Sequence, residues 1–263
     1  MSTADLAKQA GMSEAQWKEA IKFDSTDRGW IIMSIGMAIG AGIVFLPVQV
    51  GLVGVWVFLL SALIAYPSIY LLQRLFINTL ADSPDCNDYP SIIGGYLGKN
   101  WGFFLGILYF MMSLICVFMY STALTNDSAS FLQSFGVTKG LLSDNPLYGL
   151  AVICFMVVVA SRGEQLLFKV STLMVLTKLC VVACLGLLMV QSWDLANLGA
   201  FPDWSYILKQ TIIMLPYTLT SIIFIPCLSP MVISYRSHHT SIHVARYKAM
   251  RAMKIAFFVL FIT

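Results

Sequence analysis

Between Arg28 and Arg74 the chain runs for 45 residues without one charged side chain. A membrane-spanning helix takes about 20 apolar residues, so this stretch holds two spans, with Gly51-Leu52-Val53-Gly54 as the turn between them. Water-soluble folds do not accommodate such a run, because their surfaces must be coated with charge. The whole chain lacks that coat. Of 263 residues, 59% are hydrophobic and 11% charged, where soluble domains carry about 25% charged residues, and the mean hydropathy is +0.81. These figures exclude a soluble enzyme, a disordered regulator and a disulfide scaffold. A net charge of +3 is no polybasic field, which sets nucleic acid aside as a partner. The chain reads as an all-α integral membrane protein whose surroundings are the lipid bilayer.

Further charge gaps locate the other spans: a third at about 101–125, a short fourth at 145–161, a fifth at about 168–190 that carries Lys178, and a sixth between Lys209 and Arg236. A seventh begins near Ala249 and stops at Thr263, so the expectation is about six full spans plus the start of a seventh, an N-terminal fragment unable to transport by itself. The runs are continuous rather than alternating, which excludes a transmembrane barrel. Thirteen of the sixteen basic residues fall on one side when the N-terminus is inside, with Lys139 and Lys209 outside and Lys178 within a span. Positive charge marks the cytoplasmic face, so residues 1–28 form a cytoplasmic segment and the protein is multi-pass. In that segment Ser13-Glu14-Ala15-Gln16 has capping-box spacing, and Trp17 with Ile21 gives a short amphipathic helix expected along the inner leaflet. Asn126, Asp127 and Ser128 are expected to open the outer loop after span three. Trp56, Trp101, Trp193 and Trp204 lie at expected interfaces, as aromatic belts do. Five of the six cysteines sit in apolar runs and read as small buried hydrophobes.

Two spans are interrupted. Span one contains the string Gly36-Met37-Ala38-Ile39-Gly40-Ala41-Gly42-Ile43-Val44-Phe45-Leu46-Pro47, which suits either an unwound segment or close small-residue packing, since Gly36 and Gly40 are four apart. Span six contains Pro216, Pro226 and Pro230, and three prolines do not leave the backbone ladder of one helix whole. Freed backbone groups at membrane depth are tolerated only where protein or a water-filled cavity receives them. Interrupted helices in corresponding positions of two repeats point to a transporter binding site, and spans one and six are five apart.

The glycine string from Gly36 to Pro47, the Ser161-Arg162-Gly163-Glu164 turn and Ser229-Pro230-Met231-Val232-Ile233-Ser234 together resemble the hydroxy and aromatic amino acid permease family, in its serine/threonine branch. The resemblance covers the chain from about Ala20 onward. One departure is that Cys227-Leu228 stand where relatives often carry Asn-His. The family implies about eleven spans and the inverted-repeat architecture of the leucine transporter (LeuT, in the APC superfamily). Residues 29–263 would then be the transporter domain, with a first five-helix repeat at about 29–190 and an incomplete second at about 205–263. It also implies import of a small hydroxy amino acid, L-serine foremost, by proton symport, with no cofactor other than the proton as coupling ion. The substrate carboxylate is expected at the amides around Gly40, Ala41, Gly42 and Ile43, whose half-helix end is positive. Its ammonium is expected at carbonyls exposed around Phe224, Pro226, Cys227 and Leu228, and its hydroxyl at Ser229.

In proton-coupled proteins of this architecture a lysine on the fifth span takes the place of a sodium ion beside the first helix, a role that the resemblance gives to Lys178. Lys178 lies nine residues past Lys169, about 13.5 Å along a helix, too deep for easy snorkelling. Arg162 and Glu164 are expected as a structural or gating ion pair. His238, His239 and His243 read as a solvated basic loop with no metal site. No catalytic motif such as HExxH, GxSxG or a P-loop occurs, so no enzyme is expected. Sodium coupling, an aromatic substrate, and a channel or non-transporting scaffold stand as the alternatives.

Overall fold

Capping residues write the start of the bundle. The computed structural model describes residues 3–84, 86–192, 194, 201–239 and 241–262, and only the backbone at 3, 41–45, 164, 165 and 167. Every regular element among the described residues is helical. After α1 (Thr3–Gln9), Ser13 and Gln16 cap α2 (Glu14–Ala20) reciprocally, each side chain accepting the other's backbone N–H. Asp24 and Asp27 do the same for α3 (Ser25–Ala38). α4 (Ala41–Val53) follows, and Gly54, at φ +94° in the left-handed region that glycine tolerates, turns the chain into α5 (Val55–Asp82).

Two compact units divide the chain. The first comprises residues 1–86 and 168–263. Besides α1–α5 it contains most of α9 (Glu164–Met189), then α10 (Trp204–Thr220), α11 (Ile225–His238) and α12 (Ile242–Ile262). α10 and α11 pack on α5, while α12 packs on α3, α5 and α11. Their shared interior holds Val57, Ala65, Ile77, Met214, Phe224, Met231 and Met253, all fully buried. Between helices in lipid such contacts stabilise by close packing rather than by exclusion of water. Trp17 is buried with Ala7 and Val244 and lies edge-on to Tyr247 at 5.7 Å. It therefore fastens α2 to α12 instead of lying on the leaflet. At the opposite end Phe201 stands edge-on to both Trp56 and Trp204, whereas Trp193 lies outside the described residues.

The second unit, residues 87–167, contains α6 (Tyr89–Leu97), α7 (Lys99–Ser134) and α8 (Pro146–Ser161). A Cβ on Gly102 would sit 2.8 Å from the Gly94 Cα, so these two glycines let α6 lie directly on α7. α7 runs straight through Asn126, Asp127 and Ser128, which the sequence suggested as the start of a loop. No breaker intervenes before Gly136 at φ +72°, and Ser128 is absorbed by bonding the Leu124 carbonyl and receiving the Tyr148 hydroxyl.

Among the described residues, four helical stretches are long and apolar enough to cross a membrane: Val55–Asp82, Lys99–Ser134, Phe168–Ser192 and Trp204–His238, with Pro146–Ser161 shorter. The expected first span is instead two consecutive helices, α3 and α4. Large apolar side chains stand outward on these helices, among them Phe103 at 73% and Phe118 at 72% exposure, which suits acyl chains and not water. Four of the cysteines expected to be buried, Cys116, Cys154, Cys180 and Cys184, are on these outward faces, and Cys227 alone of the six is buried. Helix ends also differ from expectation at the histidines. His238 ends α11 and His243 lies within α12, so of the three histidines only His239 stands outside a helix.

Candidate functional site: two helix breaks and a lysine

α3 ends at Ala38, and the chain reverses its hydrogen bonding over one residue. Ile39 has φ −73° and ψ 68°, and the Gly40 amide bonds the Ala38 carbonyl at 2.8 Å, the geometry of an inverse γ-turn. α4 then starts at Ala41 with no side chain capping it. The first amides of a helix have no partner within it, so those of Ala41, Gly42 and Ile43 are available to a ligand. Their side chains are outside the described set.

Lys178 comes to this break. Its Nζ donates to the Ile39 carbonyl at 3.3 Å, at the turn between the half-helices. The approach is prepared lower down by two glycines. A Cβ on Gly29 would fall 2.7 Å from the Phe168 ring, and one on Gly36 would fall 2.6 Å from Val175. The pairs 29/168, 36/175 and 39/178 keep one constant offset, so α3 and α9 run parallel in a single register. Both of the readings offered for the glycine string apply: Gly36 serves close packing, and the break follows at Ile39-Gly40.

The second break lies upstream of its expected place. α10 ends at Thr220, α11 begins at Ile225, and residues 221–224 join them. Pro226 stands in the first turn of α11, where its missing N–H is free in any case. Pro216 and Pro230 are carried inside helices, as membrane helices allow when neighbours take up the freed carbonyls. The Thr220 hydroxyl bonds the Pro216 carbonyl one turn back, the usual habit of a helical threonine. The carbonyls released are consequently those at the end of α10, not those of Phe224 to Leu228. Phe224, Cys227, Leu228 and Ser229 are all buried, while Pro226 is exposed.

α11 packs antiparallel to α3. Tyr235 meets Asp27, its hydroxyl donating at 2.6 Å, and Ser34 donates to the Cys227 sulfur at 3.6 Å. Continued on that register, Ile39-Gly40 is level with Ser221-Ile222, so the two breaks share one depth. Ser61 and Thr218 add a hydrogen bond of 2.7 Å between α5 and α10. A cavity of about 710 Å³ adjoins Ser221 and Ile222, between α4, α5 and α12. Leu46, Phe58, Phe257 and Phe261 make its walls apolar, which does not suit an amino acid zwitterion. Among the described residues, none of Gly40, Phe224, Pro226, Cys227, Leu228 and Ser229 lines it. Arg162 caps α8 with its backbone N–H and has an exposed side chain. The Glu164 half of the expected ion pair lies outside the described side chains.

One cluster was not anticipated. Asp27 is completely buried and accepts from Arg251 at 2.7 Å, from the Asp24 amide and from Tyr235, with Lys248 3.6 Å away. Lys248, itself buried, bonds Asp24, and Arg251 also reaches the Ile21 carbonyl. Burial works against ionised Asp24, yet the hydrogen bond from Lys248 and the backbone amides outweigh it and hold the carboxyl below its ordinary range. Burial and the nearby Lys248 charge push His239 down. The available signal was Asp24-x-x-Asp27 ahead of an apolar run. Lys248 and Arg251 had registered only as orientation charges.

The chain is 69% identical over 257 residues, 98% of its length, to a probable serine transporter of Escherichia coli K12, and 69% identical over 256 residues to a serine transporter of E. coli O157:H7. The chain is a relative of these transporters. It spans 58% of the length of each. More distant relatives are the serine transporter SdaC of E. coli K12, 27% identical over 188 residues (71% of the chain and 42% of that protein), and the threonine/serine transporter TdcC of Yersinia enterocolitica, 25% over 174 residues (64% and 38%). These relatives agree with the serine/threonine branch that the motifs resemble. No family model and no solved structure matches the chain. The long apolar helices, and the transporters it resembles, make the chain a multi-pass membrane protein, and those relatives are named as transporters and not as enzymes.

Proposed function

We propose that the chain forms part of a proton-coupled importer of L-serine, or of the near neighbours threonine and cysteine, in the bacterial inner membrane with its N-terminus in the cytoplasm. The architecture we infer is the LeuT-type inverted repeat, with the first repeat at about 29–190 and the second starting at about 205. The observation that carries this reading is Lys178 donating to the Ile39 carbonyl, beside the uncapped start of α4. A helix N-terminus at membrane depth attracts an anionic group, so the amides of Ala41, Gly42 and Ile43 take the substrate carboxylate. Carbonyls at the end of α10 take its ammonium, and Ser229, in the first turns of α11, takes its hydroxyl. The names of the relatives support the substrate class.

Coupling follows from the lysine. A proton taken from the outer side charges Lys178, and the ammonium then holds the Ile39 carbonyl. Loss of that proton to the inner side removes the bond and lets the half-helices move. Counterflow of labelled L-serine in proteoliposomes carrying the full-length protein, with and without sodium, tests the function. Saturable, competable exchange without sodium is expected, and a demand for sodium would replace the proton reading. Lys178→Met is expected to bind serine but to lose the dependence of uptake on the pH gradient. Retained pH dependence would reduce Lys178 to a structural charge.

A further inference from the structure

A second cavity, of about 450 Å³, opens between α1, α5 and α12 at the end of the bundle that carries the N-terminal helices. Its polar lining includes Gln9, Arg74, Asn78, Tyr247, His243 and Arg246. Asp82, the one acidic residue among its lining groups, is already taken. Arg246 Nη1 donates to both Asp82 oxygens, at 2.9 and 3.0 Å. Nη2 of the same guanidinium faces the His243 Nδ1 at 3.2 Å. An arginine only donates, so the His243 Nδ1 is the acceptor of this pair. Arg74 has no acidic partner among the described residues, which leaves the cavity one positive charge in excess.

Position makes that excess significant. Arg74 is the twentieth residue of α5 and lies eight residues before its end at Asp82, so about 30 Å of helix precedes it and it stands at the cytoplasmic edge of the span. A guanidinium at that edge draws an anionic headgroup. Beside it on α5, Leu71, Leu72 and Leu75 stand exposed, presenting an apolar surface to whatever brings the anion. A free phosphate has no use for those leucines. A phospholipid matches both features: its phosphodiester takes the guanidinium and the amide donors of Gln9 and Asn78, and its acyl chains run along the leucines. Basic pockets between helices at the cytoplasmic face suit anionic headgroups in this way.

We propose that this cavity is a headgroup site for an anionic phospholipid, with Arg74 as the principal phosphate ligand. The proposal needs the chain to span a membrane but is independent of serine and of proton coupling. The test is lipid retention by the purified full-length protein, measured by native mass spectrometry, and its thermal shift on adding phosphatidylglycerol, phosphatidylcholine or inorganic phosphate. Phosphatidylglycerol is expected to be retained and to raise the melting temperature, with phosphatidylcholine and millimolar phosphate doing neither. Arg74→Gln removes a charge-assisted bond, so its retention of phosphatidylglycerol falls about tenfold, whereas Lys209→Gln, a charge loss elsewhere, retains it. If Arg74→Gln does not fold, Arg74→Lys, which keeps the charge without the fork, is expected to retain an intermediate amount. Equal retention by the Arg74 variants and the unaltered protein would overturn the site. Equal protection by inorganic phosphate would overturn the lipid as its occupant.

Discussion

Asp27 carries its charge at zero exposure, where Arg251, Lys248 and Tyr235 converge on one carboxylate. Removing one member of such a cluster costs more than the interaction itself, because the remaining charges stay buried without a partner. Asp27→Asn is expected to destabilise the detergent-solubilised protein by about 3 kcal/mol. Asp27→Asn combined with Arg251→Met is expected to recover part of that loss, since the orphaned guanidinium is gone. Additive losses in the double variant would show that the two residues act separately. The same corner sets an acid limit. His239 and Asp24 both sit below their ordinary values in the fold, so the unfolded chain binds protons more readily at each. Stability is therefore complete above about pH 6.5. It falls in a first step below that value as the unfolded imidazole charges, and in a second below about pH 3.9. Melting curves at pH 7.5, 5.5 and 3.5 check this: in His239→Asn the fall between 7.5 and 5.5 is expected to shrink, and an unchanged profile would refute the assignment.

At the scale of elements, the contact of Lys178 with the break depends on how closely α3 and α9 approach, and two glycines set that distance. Gly36→Val places bulk where even a Cβ would lie 2.6 Å from Val175, so the helices must separate. Val175 and Lys178 are three apart on one face of α9, and the separation carries the ammonium off the Ile39 carbonyl. Gly36→Val is expected to produce the same loss of pH-dependent uptake as expected for Lys178→Met, although no charge has changed. Uptake in Gly36→Val that follows the pH gradient normally would mean that the glycine does not position the lysine. The glycine string was legible as a place where something unusual happens. Its double use, close packing at Gly36 and a turn at Ile39-Gly40, was not, because the identity of the facing helix is not written in local spacing.

For the whole molecule, the membrane character and most spans were legible from charge gaps, since an apolar run about 20 residues long has few other fates. The position of the second break was misjudged by a few residues for a physical reason. A proline marks a missing donor, and Pro226 stands where a helix begins while Pro216 and Pro230 are tolerated within helices. Hidden altogether was the cluster at the foot of α3, whose partners Asp27 and Arg251 are 224 residues apart. Helical periodicity carries no information about which distant charges meet. The lysine was found because a lone charge in a long apolar run is costly, and its acceptor became visible only once α3 and α9 lay side by side.

The shared register of α3 and α9 also has a mechanical meaning. Phe168 against Gly29 is a fulcrum, and Lys178 rides ten residues farther out, about 15 Å along a stiff helix. A tilt of about 10° at the fulcrum swings the far end by about 2.6 Å, which nearly doubles the 3.3 Å separation between Nζ and the Ile39 carbonyl. On the coupling proposed above, α9 acts as a lever arm, since an angular displacement of that size at the ring of Phe168 parts the lysine from its carbonyl.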